Sequence, residues 1–386
     1  MIIGIPKEIM IDENRVAAIP ETVVKYKKLG FNVIVETNAG VGTYHVDSEY
    51  EKAGAQIAPD AKTIFEKADI ILKVKEPLFD EKNGRHEVEL LGEKQILITF
   101  LHPAAPTNKD MVIKLRDKNI TAFSMDCIPR TSRAQRMDAL TSMSTITGYK
   151  ALLMAAVRLP KFIPMVSTAI GMVKPANVLV VGTGVVGLQA IATAKRLGGV
   201  IRVVDIRPEA REEAKSLGAK VEGFEVPAKL AVAEGGYAKS LPEEWLIKER
   251  SGIQRAVAEA DIIVLCALVP GEVAPILITE SMAAEMKPGS SIVDVSIDQG
   301  GNCALTDSGK ETVKHGVFIC GIKNIPGSVP VHASWLYANN LYYYVENLFK
   351  KGIGVLDLDD DIIQSSLVTY EGKIVHKGTL KAFGGL

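Results

Sequence analysis

The stretch LVVGTGVVGLQAIATAKRLGGVIRVVDIRPEA, Leu179 to Ala210, decides the fold. It places Gly182, Gly184 and Gly187 in the spacing G-x-G-x-x-G. The apolar run before the glycines, NVLVV, reads as a strand, and GLQAIATAKRL after them reads as a helix. In that context each glycine has a job. Gly182 permits a tight turn, Gly184 lets a pyrophosphate approach the backbone, and Gly187 lets the helix pack close to the sheet. The helix start then offers unpaired N–H groups to phosphate. Asp205 follows 18 residues after Gly187, at the end of the next strand, where a carboxylate holds ribose hydroxyls. The reading is NAD(H) rather than NADP(H), because a 2′-phosphate would meet that negative charge; Arg207 nearby tempers it. Candidate cofactor contacts are Gly182, Gly184, Val185, Val186 and Gly187, then Asp205, Ile206 and Arg207. Ala267 and Leu268, at the end of ADIIVLCAL, complete this set.

Working outward, the strand–helix alternation continues through VIRVVDI, ADIIVLCAL, SSIVDVSI and GVFICGI, which predicts a parallel sheet. A mostly polar insertion from Val221 to Gln254 is longer than an ordinary connection and reads as mobile or partner-facing. A second series precedes this one. MIIGIP, FNVIVE, ADIILKV, QILITF and ITAFSM read as strands buried on both faces, with PETVVKYKKLG a helix ending at Gly30. From Met137 to near Pro160 the pattern predicts one long helix joining two domains. ASWLYANNLYYYVENLFKKG reads as another helix, and LVTYEGKIVHKG as a hairpin turning at EGK. The expected fold is α/β, two Rossmann-like doubly wound parallel-sheet domains separated by a cleft. Residues 1–135 plus 330–386 make a discontinuous first domain, and 145–328 the nucleotide domain.

Bulk properties agree. The 386 residues are 47% hydrophobic, enough for two cores, and the net charge of -1 gives no basic surface for nucleic acid. Mean hydropathy is +0.15, yet no run gives about 20 uninterrupted apolar residues, so direct membrane insertion is not expected. The opening MIIGIPKEIM lacks the basic start and apolar core of a signal peptide. Cys127, Cys266, Cys303 and Cys320 form no C-x-x-C pair and read as reduced, mostly buried thiols of a cytoplasmic protein, with no metal site.

Two long stretches, GIPKEIMIDENRVAAIPETV and LVPGEVAPILITESMAAEMKPGSSIVDVSIDQGG, resemble the shared signatures of a superfamily. It joins alanine dehydrogenase with the NAD(H)-binding first domain of proton-translocating nicotinamide nucleotide transhydrogenase. PRTSRAQRMDALTSMS, EGGYAK, GGNC and the tail after Gly352 resemble the transhydrogenase branch. That resemblance implies that Arg130, Asp138 and Thr141 contact the nicotinamide and its carboxamide, and that Gln135 reaches toward a partner's nucleotide. It also implies that Tyr237 lies on a loop closing over the cofactor. On spacing alone, Gln135, Asp138 and Thr141 at i, i+3, i+6 fit either one polar face or a capped helix start with solvated charges. The resemblance further implies a homodimer, an NADP(H)-binding partner subunit and membrane-spanning partner subunits, with this chain cytoplasmic and peripheral to the inner membrane.

A second set resembles the other branch: Arg15 for a substrate carboxylate, Lys75 for a 2-oxo group, His102 as acid/base and Asp298 near the reacting centre. It keeps a self-contained, NAD-dependent L-alanine dehydrogenase open as the alternative. Each of these residues singly also fits a solvated or structural role.

Overall fold

The computed structural model describes residues 1–233, 236–269 and 272–384. Glu234 and Gly235 of EGGYAK and Pro270 and Gly271 of LVPGEV lie outside the described residues. The chain divides into two units, Met1–Met143 with Pro326–Leu386, and Ser144–Ile325.

In the first unit an eight-stranded sheet runs Lys373–Ile374, Leu367–Tyr370, Thr121–Ser124, Ile96–Thr99, Ile70–Leu72, Ile2–Ile5, Asn32–Glu36, Gln56–Ala58. Six of these strands are parallel, in the 3-2-1-4-5-6 order of a doubly wound sheet. The helix Pro20–Lys28 stops as the sequence predicts. Gly30, at φ +96°, bonds back to Lys27, and the Phe31 N–H bonds to the Tyr26 carbonyl, a Schellman cap. The closing hairpin turns through Glu371 and Gly372, both at positive φ, as a two-residue hairpin turn requires, and adds its strands antiparallel to Thr121–Ser124. Gln56–Ala58 is a strand the sequence reading missed; only its last residue is buried, so its apolar signal is weak.

The second unit repeats the order with Lys220–Val221, Val200–Val204, Asn177–Val181, Ile262–Leu265, Ser291–Asp294, Val317–Cys320 and an antiparallel edge, Glu311–Lys314. Alternation along each strand feeds two cores. Val178, Val180, Ile262 and Val264 pack with Ala190, Ile191 and Ala194 on one face. Leu179, Val181, Ile263 and Leu265 pack with Ile253, Ala256 and Val257 on the other.

That second core corrects the expectation of a polar insertion over Val221 to Gln254. Its last part begins the helix Glu243–Glu259, which covers the sheet. Val226, Ala231 and Leu241 also bury themselves with Trp245. The helix is polar on its exposed sides, and its inward stripe carries Glu249 between Leu246 and Ile253, which breaks the apolar period.

The long helix is Ala139–Arg158. Before it, Ser132–Met137 forms a 3-10 helix, and Asp138 breaks the two apart with ψ 85°. Gly148 lies where a Cβ would sit 2.1 Å from the Val186 carbonyl oxygen, so this helix contacts the glycine-motif helix through bare backbone. Among the described residues no helix is long and apolar enough to cross a membrane.

Candidate functional site

The glycine turn leaves the strand Asn177–Val181 beside Ile262–Leu265, where the strand order of the second unit reverses. Ligands of doubly wound sheets bind at that point. Gly182 has φ +91°, and a Cβ there would meet the Cys266 carbonyl oxygen at 2.7 Å. At Gly187 a Cβ would lie 2.0 Å from the Gly182 oxygen. Gly184 differs: no atom lies within 4 Å of its Cβ position. It is the N-cap of the helix Val185–Arg196 and has no side chain to cap it. The first-turn N–H groups therefore face an open cradle, which fits a pyrophosphate. Val185 and Val186, half-buried, form the cradle's helical wall.

Asp205 is buried and fully engaged. Thr183 donates its backbone N–H to Oδ2 at 2.7 Å and its hydroxyl to the same oxygen at 3.0 Å. Arg207 grips both oxygens, Nη2 to Oδ2 at 2.7 Å and Nε to Oδ1 at 3.0 Å, and also donates to the Gly236 carbonyl at 3.3 Å. Burial works to raise the Asp205 pKa, but these donors hold it below the ordinary carboxylate value. Ile206, between the two, is half-buried against the Val226–Leu241 cluster.

Glu249, which the sequence reading did not single out, stands close enough to feel Asp205. Burial first, then the Asp205 charge, push its pKa up to about 7 from 4.5, with Arg250 opposing. Between those values the folded chain holds a proton the unfolded chain has lost. Stability therefore falls as pH rises through that window, by up to about 3 kcal/mol once pH exceeds 7. Glu249→Gln is expected to flatten this dependence, raising urea stability at pH 8 with little change at pH 4.5. Equal pH slopes for the two proteins would show that Glu249 titrates normally.

At the end of Ile262–Leu265, Asn302 clamps Ala267. Its Oδ1 accepts the Ala267 N–H at 3.0 Å, and its Nδ2 donates to the Ala267 carbonyl at 3.0 Å and to Pro275 at 2.8 Å. Ser296 Oγ completes the set at 2.7 Å, and Asn302 is fully buried. Asn302 lies in the GGNC stretch, and its amide fixes the loop that carries Leu268. Tyr237 lines a cavity of about 430 Å³ with Ala233, Lys239, Val269 and Glu272.

The segment from Arg130 to Thr141 belongs to the first unit. Arg130 and Gln135 are exposed, and Asp138 and Thr141 are half-buried. Asp138 Oδ1 accepts the Thr141 N–H at 2.8 Å, and Oδ2 accepts its hydroxyl at 2.6 Å. Asp138 is therefore the N-cap of Ala139–Arg158, a role worth about 1 kcal/mol. The single polar face expected from i, i+3, i+6 spacing is not formed, because Asp138 leaves helical geometry between Gln135 and Thr141.

Three of the second set also lie in the first unit. Arg15 is buried and paired bidentately with Glu13, Nε to Oε1 at 2.7 Å and Nη2 to Oε2 at 2.5 Å. Lys75 acts electrostatically on both Glu13 and His102. His102 takes a left-handed backbone, φ +44°, held by Asp126. One Asp126 oxygen accepts the N–H groups of Leu101 and His102, at 2.9 and 2.7 Å, while the other lies 2.9 Å from His102 Nδ1. Burial would lower the imidazole pKa, but Asp126 outweighs it and keeps it raised. Asp126 sits in SMDC, directly after a strand, and the sequence reading passed over it. Asp298 belongs to the second unit, exposed, with Lys323 Nζ at 4.0 Å. At the strand-order reversal of the first unit the space holds a buried ion triad. Lys73 Nζ bonds Glu87 at 2.8 Å and Glu8 at 3.3 Å. That triad fills the position that the glycine turn leaves open in the second unit. All four cysteines are free thiols, and among the described residues no cluster could hold a metal ion.

Family models match most of the chain: the alanine dehydrogenase/PNT N-terminal domain over residues 4–147 and the C-terminal domain over residues 151–377. The chain is 44% identical to an NAD(P) transhydrogenase alpha subunit of Rhodospirillum rubrum, covering 97% of this chain and 98% of that one. It is 32% identical to alanine dehydrogenase of Bacillus subtilis, over 100% and 95%. A crystal structure of transhydrogenase from Sinorhizobium meliloti superimposes with a TM-score of 0.84 at 37% identity, covering 97% and 100%. With both halves of the chain matched, and likeness extending over its full length, this protein belongs to the alanine dehydrogenase/PNT family.

Proposed function

We propose that this chain is the NAD(H)-binding subunit of a proton-translocating transhydrogenase, exchanging hydride with NADP(H) held by a partner subunit. The observation that carries the reading is the 44% identity, end to end, with a transhydrogenase alpha subunit, against 32% for an alanine dehydrogenase. The site chemistry is consistent with it. Gly184 and the helix start would take the pyrophosphate, and Asp205 the ribose hydroxyls. Arg207 has its charge committed to Asp205, so a 2′-phosphate gains little there. Ala267 and Leu268, fixed through Asn302, would flank the cofactor, and Tyr237 would cover it. Arg130 would donate to the carboxamide oxygen. Asp138 uses one acceptor position per oxygen on Thr141, which leaves lone pairs for the carboxamide NH₂. Gln135, exposed, would face the partner's nucleotide. Bound NAD(H) supplies or receives the hydride at its nicotinamide ring. The protein's contribution is proximity and orientation, and direct exchange between two such rings leaves no proton for a side chain to move. Proton translocation and membrane attachment would rest with membrane-spanning partner subunits. The test is to mix the purified chain with an NADP(H)-binding partner subunit and follow hydride exchange, which should require both proteins.

Self-association as a homodimer is part of the proposal. The hairpin Val166–Thr168 and Gly171–Val173 projects Ile170, Met172 and Val173 into solvent, with Ile170 fully exposed. Ile170→Asp is expected to shift the chain from dimer to monomer in sedimentation while leaving its unfolding unchanged. A dimer that survives the charge would place the interface elsewhere.

A second reading, alanine dehydrogenase, is favoured by the assembly of Arg15, Lys75 and the His102–Asp126 pair. Adding L-alanine and NAD to the chain alone tests it. Rapid NADH formation, lost in His102→Ala, would replace the main reading.

A further inference from the structure

We infer that Arg133 and Asp360 form a latch, reaching across 227 residues of sequence, that positions the 130–141 segment for hydride transfer. The inference rests on the function proposed above. The segment has little to hold it by itself. Its 3-10 helix closes with bonds such as Ala134 N–H to Thr131 at 3.0 Å and Asp138 N–H to Gln135 at 3.4 Å, and such helices are short and poorly bonded. On its inner side Ala134 and Met137 are buried, and Asn340 donates to the Arg136 carbonyl at 2.8 Å. On the other side Arg133 is the tie. Its guanidinium takes both Asp360 oxygens, at 2.6 and 3.2 Å, and also bonds Asp361.

Asp360 is built as a fixed anchor. Its side chain is 2% exposed. It caps the helix Asp361–Ser366 by accepting the Ile362 N–H at 2.9 Å, and it accepts Lys350 Nζ at 2.7 Å. Those bonds lie wholly within the C-terminal part of the chain and survive without Arg133. The pairing therefore adds little to the anchor's own order, and what it fixes is the segment. Arg133 stands between Arg130 and Gln135, so freeing it loosens the groups proposed to meet the nicotinamide and the partner's nucleotide. A displacement of about 1 Å is enough to slow an oriented transfer by as much as 100-fold. Arg133 is a positioning residue in this account, since it touches neither reacting ring.

The experiment compares Arg133→Ala, Arg133→Lys and Lys350→Ala in the full chain with an NADP(H)-binding partner subunit. Arg133→Ala is expected to cut the maximal hydride-transfer rate on the order of 10- to 100-fold, with NADH affinity within about twofold of wild type. Arg133→Lys should restore part of the rate, because a point charge keeps the pairing but loses the fork. Lys350→Ala takes a different partner from Asp360 and should transfer at the wild-type rate. Hydrogen exchange of the amides across 130–138 should accelerate in Arg133→Ala only. Wild-type rates in Arg133→Ala, or equal slowing in Lys350→Ala, would overturn the latch. If wild type itself transfers no hydride, the proposed function fails. The amide-exchange comparison still decides the latch, with unchanged protection counting against it.

Discussion

Gly184→Val will abolish most NADH binding, by about 100-fold or more, while the protein unfolds at the wild-type temperature. The residue has φ −73° and ψ −167°, an extended backbone that valine adopts readily, and nothing lies within 4 Å of its Cβ position. Folding therefore meets no clash, and the loss of glycine's freedom in the unfolded chain favours stability slightly. The pyrophosphate would meet the new methyl groups. Gly187→Ala provides the contrast. Its Cβ would overlap the Gly182 oxygen at 2.0 Å, so the turn must open and stability itself must fall, by about 1–3 kcal/mol or more. A fluorescence titration with NADH beside a thermal melt separates the two cases. Undiminished NADH affinity in Gly184→Val would mean that the cofactor's phosphates do not lie on the glycine turn.

Asp138→Ala is expected to cut hydride transfer at least about 100-fold at a stability cost of only about 1 kcal/mol. The small cost follows from its place as a helix cap whose two bonds both go to Thr141. The large effect follows from its remaining lone pairs, proposed to orient the carboxamide. Asp138→Asn keeps an acceptor for the Thr141 N–H and should restore the cap while transfer stays slow. If the activities of both variants simply follow their melting temperatures, Asp138 is a cap and nothing more.

Strand positions and the glycine turn were legible because they rest on local rules. A β-branched run such as NVLVV buries both faces of a strand, and G-x-G-x-x-G between strand and helix has one economical geometry. Polar hubs were not legible. Asp126, Asn302 and Asp360 act on partners brought close only by folding: Asp126 on the backbone of His102, 24 residues away, Asn302 on Ala267, 35 away, and Asp360 on Arg133. A single carboxylate or amide in sequence carries no mark of such a role. Glu249 shows the opposite failure, since one buried charge in a helix stripe was enough to make Glu243–Glu259 read as polar insertion. The expected face of Gln135, Asp138 and Thr141 failed because a cap must leave helical geometry to reach the N–H it serves.

The Asp205 carboxylate has every strong acceptor position in use. A ribose hydroxyl therefore arrives as a competitor, and Arg207 is the more exposed of the incumbents. Arg207 also holds Gly236, next to Tyr237. Arrival of the sugar and release of that strap are thus one exchange reaction, written over a single guanidinium. Its free energy is shared between ligand affinity and loop position, so a substitution that weakens the strap should tighten the nucleotide by the same amount.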